Sequence, residues 1–147
     1  MPSTEKKNIK VFIVDDDKFL LGMYSLKFVN NGYDVDTTVG SLAALEKLRA
    51  GAKPDVILLD IVMPYMTGLE LLKTMRDEKL VPDAIVVMLT NQSQSSDIEQ
   101  AKELHVDGYI VKAATIPSEV LKEVEKIYSA KKGVKVDSFK NKNGSGL

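Results

Sequence analysis

The sequence predicts an α/β fold in which a five-stranded parallel sheet carries helices on both faces. Two observations predict it. Short apolar runs alternate with helix-period segments along most of the 147 residues, the pattern of repeated strand–helix units. Two of those runs, Val56 to Leu59 and Ala84 to Leu89, have no polar residue at all, as expected of central parallel strands buried on both faces.

The elements follow in order. Ile9 to Val14 reads as the first strand, interrupted only by Lys10. Leu20, Tyr24 and Phe28 then recur at helical spacing, and Asn30-Asn31-Gly32 closes that helix, because Asn and Gly tolerate left-handed backbone. Tyr33 to Thr38 alternates apolar and polar, which suits an edge strand. Leu42, Leu45 and Leu48 mark a second helix that ends near Gly51. After the strand Val56 to Leu59, Leu69, Leu72 and Met75 mark a third helix. The strand Ala84 to Leu89 is followed by a helix carrying Ile98, Ala101 and Leu104. Tyr109 to Val111 is a short last strand, and Val120, Leu121, Val124, Ile127 and Tyr128 mark a fifth helix. Five such units with a polar second strand and a short fifth strand suggest the flavodoxin-like doubly wound (βα)5 order 2-1-3-4-5. The domain is expected over residues 8–130, after an extension at 1–7. Residues 131–147 are rich in Lys, Gly, Asn and Ser and are expected to be a disordered tail, with Val134, Val136 and Phe139 able to add a brief contact with the body.

Composition narrows the function. Apolar residues are 44% and charged residues 28% of the chain, ordinary usage for one globular domain. There is no cysteine, so thiolate chemistry, disulfides and Cys-bound zinc are excluded. The net charge is -1, which offers no overall basic field to nucleic acid. No apolar run reaches the roughly 20 residues that span a bilayer, and the N-terminus lacks the apolar stretch of a signal peptide. The expectation is a soluble cytoplasmic protein without direct nucleic-acid or membrane contact.

In a doubly wound sheet, ligands bind beyond the carboxyl ends of the strands, where the strand order reverses. Those ends carry Asp15-Asp16-Asp17, Asp60, Thr90 and Lys112. Clustered carboxylates repel one another unless a cation joins them, and hard oxygens with few protein ligands suit magnesium. Asp60 beside a metal could act as a nucleophile and form an acyl phosphate. The Thr90 hydroxyl and the Lys112 ammonium could bind phosphoryl oxygens. Taken singly, each residue has a plainer reading. Asp17 suits a helix cap, Asp15 and Asp16 suit a turn, Thr90 a strand-end hydroxyl, and Lys112 a solvated lysine. His105 reads as a bystander on an exposed helix face.

Five motifs carry a more specific signal. Val14-Asp15-Asp16-Asp17, Leu58-Leu59-Asp60-Ile61-Val62-Met63-Pro64, Gly68-Leu69-Glu70-Leu71-Leu72, Met88-Leu89-Thr90 and Gly108-Tyr109-Ile110-Val111-Lys112 together resemble the signature of response-regulator receiver domains. The resemblance implies that Asp60 is the phosphoacceptor and that Mg2+ is held by Asp15, Asp16, Asp60 and the backbone carbonyl of Val62. It implies that Thr90 and Lys112 contact the phosphoryl group. It also implies that Tyr109 is a switch aromatic, and that Met63-Pro64 and Gly68 form the turn into the third helix. The implied phosphodonor is a sensor histidine kinase or a histidine phosphotransfer protein. The implied output is a change in the face made by the fourth helix, fifth strand and fifth helix, for an unknown partner protein or a weak dimer of an otherwise monomeric chain. Such a domain is not an enzyme in the ordinary sense, since it catalyses only its own phosphorylation and dephosphorylation.

Three departures from the family pattern stand out. Ala113 follows Lys112 where proline after a cis bond is usual. Asn91 follows Thr90 where a very small residue is usual. Val62, unlike Gln92, cannot orient an attacking water through its side chain. The last point predicts slow loss of the phosphoryl group. The Met1 start and the tail favour a stand-alone regulator over a fragment of a larger transcription factor or hybrid kinase, or a pseudo-receiver that is never phosphorylated. An aspartyl-phosphate phosphatase would want a second Asp at Val62. An FMN binder would want a Ser/Thr/Gly-rich loop in place of the three aspartates. A nucleotide triphosphatase would want a Gly-rich loop with Lys-Ser/Thr, which is absent.

Overall fold

A computed structural model describes residues 9–91, 95–112 and 115–133. Strands β1 (Lys10–Asp15), β2 (Asp34–Val39), β3 (Val56–Leu59), β4 (Ile85–Thr90) and β5 (Gly108–Val111) alternate with helices α1 (Lys18–Val29), α2 (Ser41–Arg49), α3 (Gly68–Asp77), α4 (Ser95–Glu103) and α5 (Pro117–Lys132). All pairings are parallel, in the order β2-β1-β3-β4-β5. The expected flavodoxin-like architecture is therefore the one observed.

The period of two along each strand divides the core into two layers. Val11, Ile13, Val56, Leu58, Ile85 and Val87 face one way and pack with Leu21, Tyr24 and Phe28 of α1 and Val120, Leu121 and Val124 of α5. Phe12, Val14, Ile57, Leu59, Val86 and Met88 face the other way, toward Leu45 and Leu48 of α2, Leu72 and Met75 of α3, and Ala101 of α4. Central strands β3 and β4 are buried at every position, whereas edge strand β2 has one buried residue, Thr38, in six. That is why these strands read as wholly apolar and alternating, respectively.

Local signals set the ends of the helices. Asp17 caps α1 as expected, its carboxylate accepting from the N–H groups of Phe19 and Leu20 at 3.0 and 3.2 Å. Thr67 caps α3, and the Glu70 carboxylate reaches back to the Thr67 N–H, a reciprocal capping box. Pro117 opens α5, where its missing N–H is no loss. Helix α5 runs to Lys132 and closes on Gly133 in the left-handed region.

Some elements differ from their sequence reading. Strands β1, β2 and β4 each extend one residue further, because the ladder still pairs Asp15 with Val39 and Thr90 with Val111. Leu42 is 54% exposed rather than part of the stripe of α2, whose inner face is Ser41, Ala44, Leu45 and Leu48. His105 stands on the turn after α4 rather than on a helix face, with φ +62° and its carbonyl held by Arg76.

A polar tie crosses the α1/α5 layer. The Tyr33 hydroxyl donates to the buried carboxylate of Glu125 on α5 at 2.6 Å, and its ring meets Phe28 edge-on at 5.5 Å. Phe28 is fully buried, so Phe28→Ala is expected to cost about 3–5 kcal/mol through lost transfer energy and the cavity left behind. Urea denaturation of the variant beside the wild type measures it.

Candidate functional site

The carboxyl ends of β1, β3, β4 and β5 bring Asp15, Asp60, Thr90 and Lys112 to one hollow of about 250 Å3, which Asp16, Val62 and Asn91 also line. β1 delivers Asp15 as its last residue. Asp60 lies one residue past β3, with its N–H still bonded to the Val14 carbonyl at 3.0 Å. Thr90 ends β4 and Lys112 follows β5 directly. The two central strands sit between β1 and β5, and the crossover between β1 and β3 opens the crevice into which these side chains project.

Burial separates the members. Asp15, Asp60, Thr90 and Lys112 are nearly closed to solvent, while Asp16 is exposed. The Lys112 Nζ donates to Asp15 Oδ2 at 2.6 Å and lies 3.5 Å from Asp60 Oδ2. The other oxygen of Asp15 accepts from the Asp17 N–H at 3.0 Å, and Asp60 Oδ1 accepts from the Ile61 N–H at 2.8 Å. Burial and then the negative charge of Asp15 raise Asp60 from its ordinary 3.8 to about 6, with Lys112 and the Ile61 N–H opposing them. Burial works against the charge on Lys112, but the Asp15 hydrogen bond and the charges of Asp60 and Asp15 outweigh it, and the ammonium holds its proton above the usual lysine range.

Three carboxylates face one ammonium here, so negative charge is in excess. One oxygen from each of Asp15, Asp16 and Asp60 lies within 4.8 Å of the others. Among the described residues this is the one cluster of three acidic groups close enough to share an ion. An all-carboxylate donor set with room for water fits a hard divalent cation such as Mg2+.

Gly68 explains how Asp60 is held. Its N–H donates to the Ile61 carbonyl at 2.8 Å, and a Cβ built on it would lie 1.9 Å from the Asp60 carbonyl oxygen. The loop after β3 therefore folds back onto the peptide of Asp60, and a glycine is required at the contact. The sequence placed Gly68 in a turn; that a side chain there would strike Asp60 was visible only in three dimensions. Leu20, read as a helix-stripe residue, also lines the hollow, and its place three residues after the Asp17 cap was the available signal.

Val62 lines the hollow with its side chain half exposed. Tyr109 pairs with Met88 in the sheet and is partly buried against the α2–α4 layer. His105 takes no part in the site. Gln92, Ala113 and the bond before Ala113 lie outside the described residues, as do 1–8 and 134–147.

Residues 11–126 match the family model described as the response regulator receiver domain. The chain is 33% identical to the alkaline phosphatase synthesis transcriptional regulatory protein PhoP of Bacillus subtilis, over 82% of this chain and 48% of that protein. It is 31% identical to the DNA-binding response regulator MtrA of Mycobacterium tuberculosis, over 70% of this chain and 43% of that one. The chain thus spans under half the length of these curated relatives. Among solved structures, Vibrio cholerae chemotaxis protein CheY4 superposes with a TM-score of 0.74 at 31% identity, covering 81% of this chain and 98% of that one.

Two outcomes are expected. A carboxyl whose folded pKa is raised binds its proton more tightly folded than unfolded. Its contribution is fully present below the unfolded value near 3.8 and is lost as pH rises through about 6. Asp60→Asn therefore gains stability over the wild type as pH rises from about 4 to about 7, read by urea denaturation without divalent cations. Gly68→Ala forces the loop off Asp60 and is expected to cost about 1–3 kcal/mol, with displaced amide resonances at Asp60 and Ile61.

Proposed function

The chain belongs to the response regulator receiver domain family, and from that premise we propose that it is a switch set by a phosphoryl group on Asp60. The observation that carries this reading is the convergence of buried Asp60, Lys112 and Thr90 on one hollow that also holds the acidic pair Asp15 and Asp16.

In the proposed reaction, a carboxylate oxygen of Asp60 attacks the phosphorus of a phosphohistidine on a sensor histidine kinase or histidine phosphotransfer protein. The new bond is O–P and the broken bond is P–N. The imidazole leaves with the electron pair and takes a proton from solvent. Asp15, Asp16, Asp60 and the Val62 backbone carbonyl would hold Mg2+. When bound, that ion supplies positive charge that lessens the repulsion between the carboxylates and the incoming phosphoryl oxygens. Lys112 already spans Asp15 and Asp60 and is placed to transfer its hydrogen bonds to the phosphoryl oxygens. Thr90 contacts the same group from the end of β4.

The readout in this proposal is a population shift. Thr90 moves onto the phosphoryl group, Tyr109 turns further inward, and the α4–β5–α5 face changes its affinity for an output protein or for a second copy. The weak hold on α4 supports this. Ala101 is its one buried residue among those described, and elements with few buried contacts open at low free energy. This domain would itself contact neither DNA nor membrane, and it would act in the cytoplasm. No helix among the described residues is long and apolar enough to cross a membrane. Val62, unable to orient a hydrolytic water, supports a long-lived acyl phosphate.

The test uses acetyl phosphate, whose P–O bond to acetate breaks in place of P–N. Intact mass after incubation with Mg2+ is expected to rise by one phosphoryl group, and not without Mg2+ or in Asp60→Ala. An unchanged mass in the wild type under these conditions, with cation binding intact, overturns the reading. Decay of the product within seconds overturns the slow-hydrolysis part alone.

A further inference from the structure

Helix α1 carries a buried phenol that the proposed reaction does not use. Tyr24 is 3% exposed and stands on the inner face of α1 with Leu21 and Phe28. Among the described residues its hydroxyl makes no hydrogen bond. A buried hydroxyl without a partner costs free energy, so native structures rarely leave one idle. The other buried phenol of the same layer, Tyr33, follows that rule by donating to Glu125 at 2.6 Å.

Strand parity puts Tyr24 beneath the site. Alternate side chains of a strand share a face. Ile13, Leu58 and Ile110 all lie in the α1/α5 layer, so Asp15, Asp60 and Lys112, each the next but one in its chain segment, turn to that side as well. Thr90 turns to the other side, with Met88. Helix α1 starts at the same pole, directly after Asp15-Asp16-Asp17, and long side chains on a helix lean toward its N-terminus. Leu20, one turn nearer that end, lines the hollow, and Tyr24 follows it on the same stripe. The charges agree with this placement. Burial raises the phenol above its usual range, and of the charges acting on it the Lys112 ammonium is the strongest and opposes the rise, ahead of Asp15, Asp60 and Asp17. Lys112 is influenced by Tyr24 in return.

We propose that Tyr24 is a positioning residue for Lys112, its hydroxyl oxygen accepting from the ammonium once a phosphoryl group on Asp60 draws Lys112 off Asp15. The inference rests on the phosphoacceptor reading of Asp60. An ammonium has three N–H donors and no acceptor. Without a phosphoryl group, Lys112 bonds Asp15 at 2.6 Å and lies 3.5 Å from Asp60 Oδ2. A donor that leaves Asp15 at this depth finds little water, because Lys112 is nearly closed to solvent. The Tyr24 oxygen is the acceptor waiting there. A hydroxyl idle before the reaction is then satisfied after it, which favours the phosphorylated state and fixes the direction of the ammonium.

Tyr24→Phe removes the oxygen and keeps the ring. Its urea midpoint without divalent cations is expected to equal or exceed that of the wild type, since no bond is lost. With acetyl phosphate and saturating Mg2+, the gain of mass at Asp60 is expected to be about three- to tenfold slower, the span of one ordinary hydrogen bond, at an unchanged Mg2+ affinity. In the chain loaded with Mg2+ and beryllium fluoride, which stands in for the phosphoryl group, the Lys112 ammonium protons are expected to exchange with water several-fold faster in the variant, as read by NMR. A lowered urea midpoint overturns the proposal, because the hydroxyl then serves the unphosphorylated fold. A wild type that is labelled and is matched by Tyr24→Phe in rate and in ammonium exchange overturns this inference alone. A wild type that gains no phosphoryl group, with cation binding intact, overturns the reading of Asp60 and this inference with it.

Discussion

Lys112 carries its ammonium into a place nearly closed to water, and the carboxylates of Asp15 and Asp60 are what make that tolerable. An uncompensated buried charge is costly, and removing one partner from a buried pair leaves the other stranded. The 2.6 Å bond to Asp15 joins residues 97 apart in the chain. It forms only when β1, β3, β4 and β5 lie in register. The same grouping that the site needs is thus a condition on the sheet.

That condition has a functional counterpart. Three carboxylates and one ammonium leave the hollow short of positive charge, and burial holds the Asp60 carboxyl at about 6. Both strains would ease if a cation entered, which is what the proposed switch requires. Gly68 supports the arrangement from behind by letting the loop press directly on the Asp60 peptide. Burial is complete along β3 and dense at the start of α3, while α4 has Ala101 alone buried among its described residues. In the proposed switch, a fixed site next to a yielding face would let a small change at Asp60 be read at a distance.

Legibility differed between elements for physical reasons. The wholly apolar text of β3 and β4 was decisive because burial on both faces leaves no other composition open. The strand order was readable because a polar β2 and a short β5 belong at edges. Leu42 misled because leucine spacing in α2 fits two adjacent faces, and only contact with the sheet selects the one bearing Ala44. His105 misled because α4 stops earlier than its apolar pattern suggests, where Arg76 of α3 takes the carbonyls of Leu104 and His105. The strand ends were displaced by one residue because inter-strand pairing, not polarity, decides where a ladder stops.

By itself, then, the sequence determined the number and type of elements, the sheet order, and which residues stand at the strand ends around the crevice, because these follow from burial and periodicity along the chain. Tertiary structure alone decided how those residues meet: that Lys112 bonds Asp15 more closely than Asp60, that Gly68 bears on the Asp60 peptide, and that α5 ends at the rim of a hollow on the far pole. Distances between residues remote in sequence are set by packing and desolvation, which act on the assembled sheet and leave no local trace in the chain.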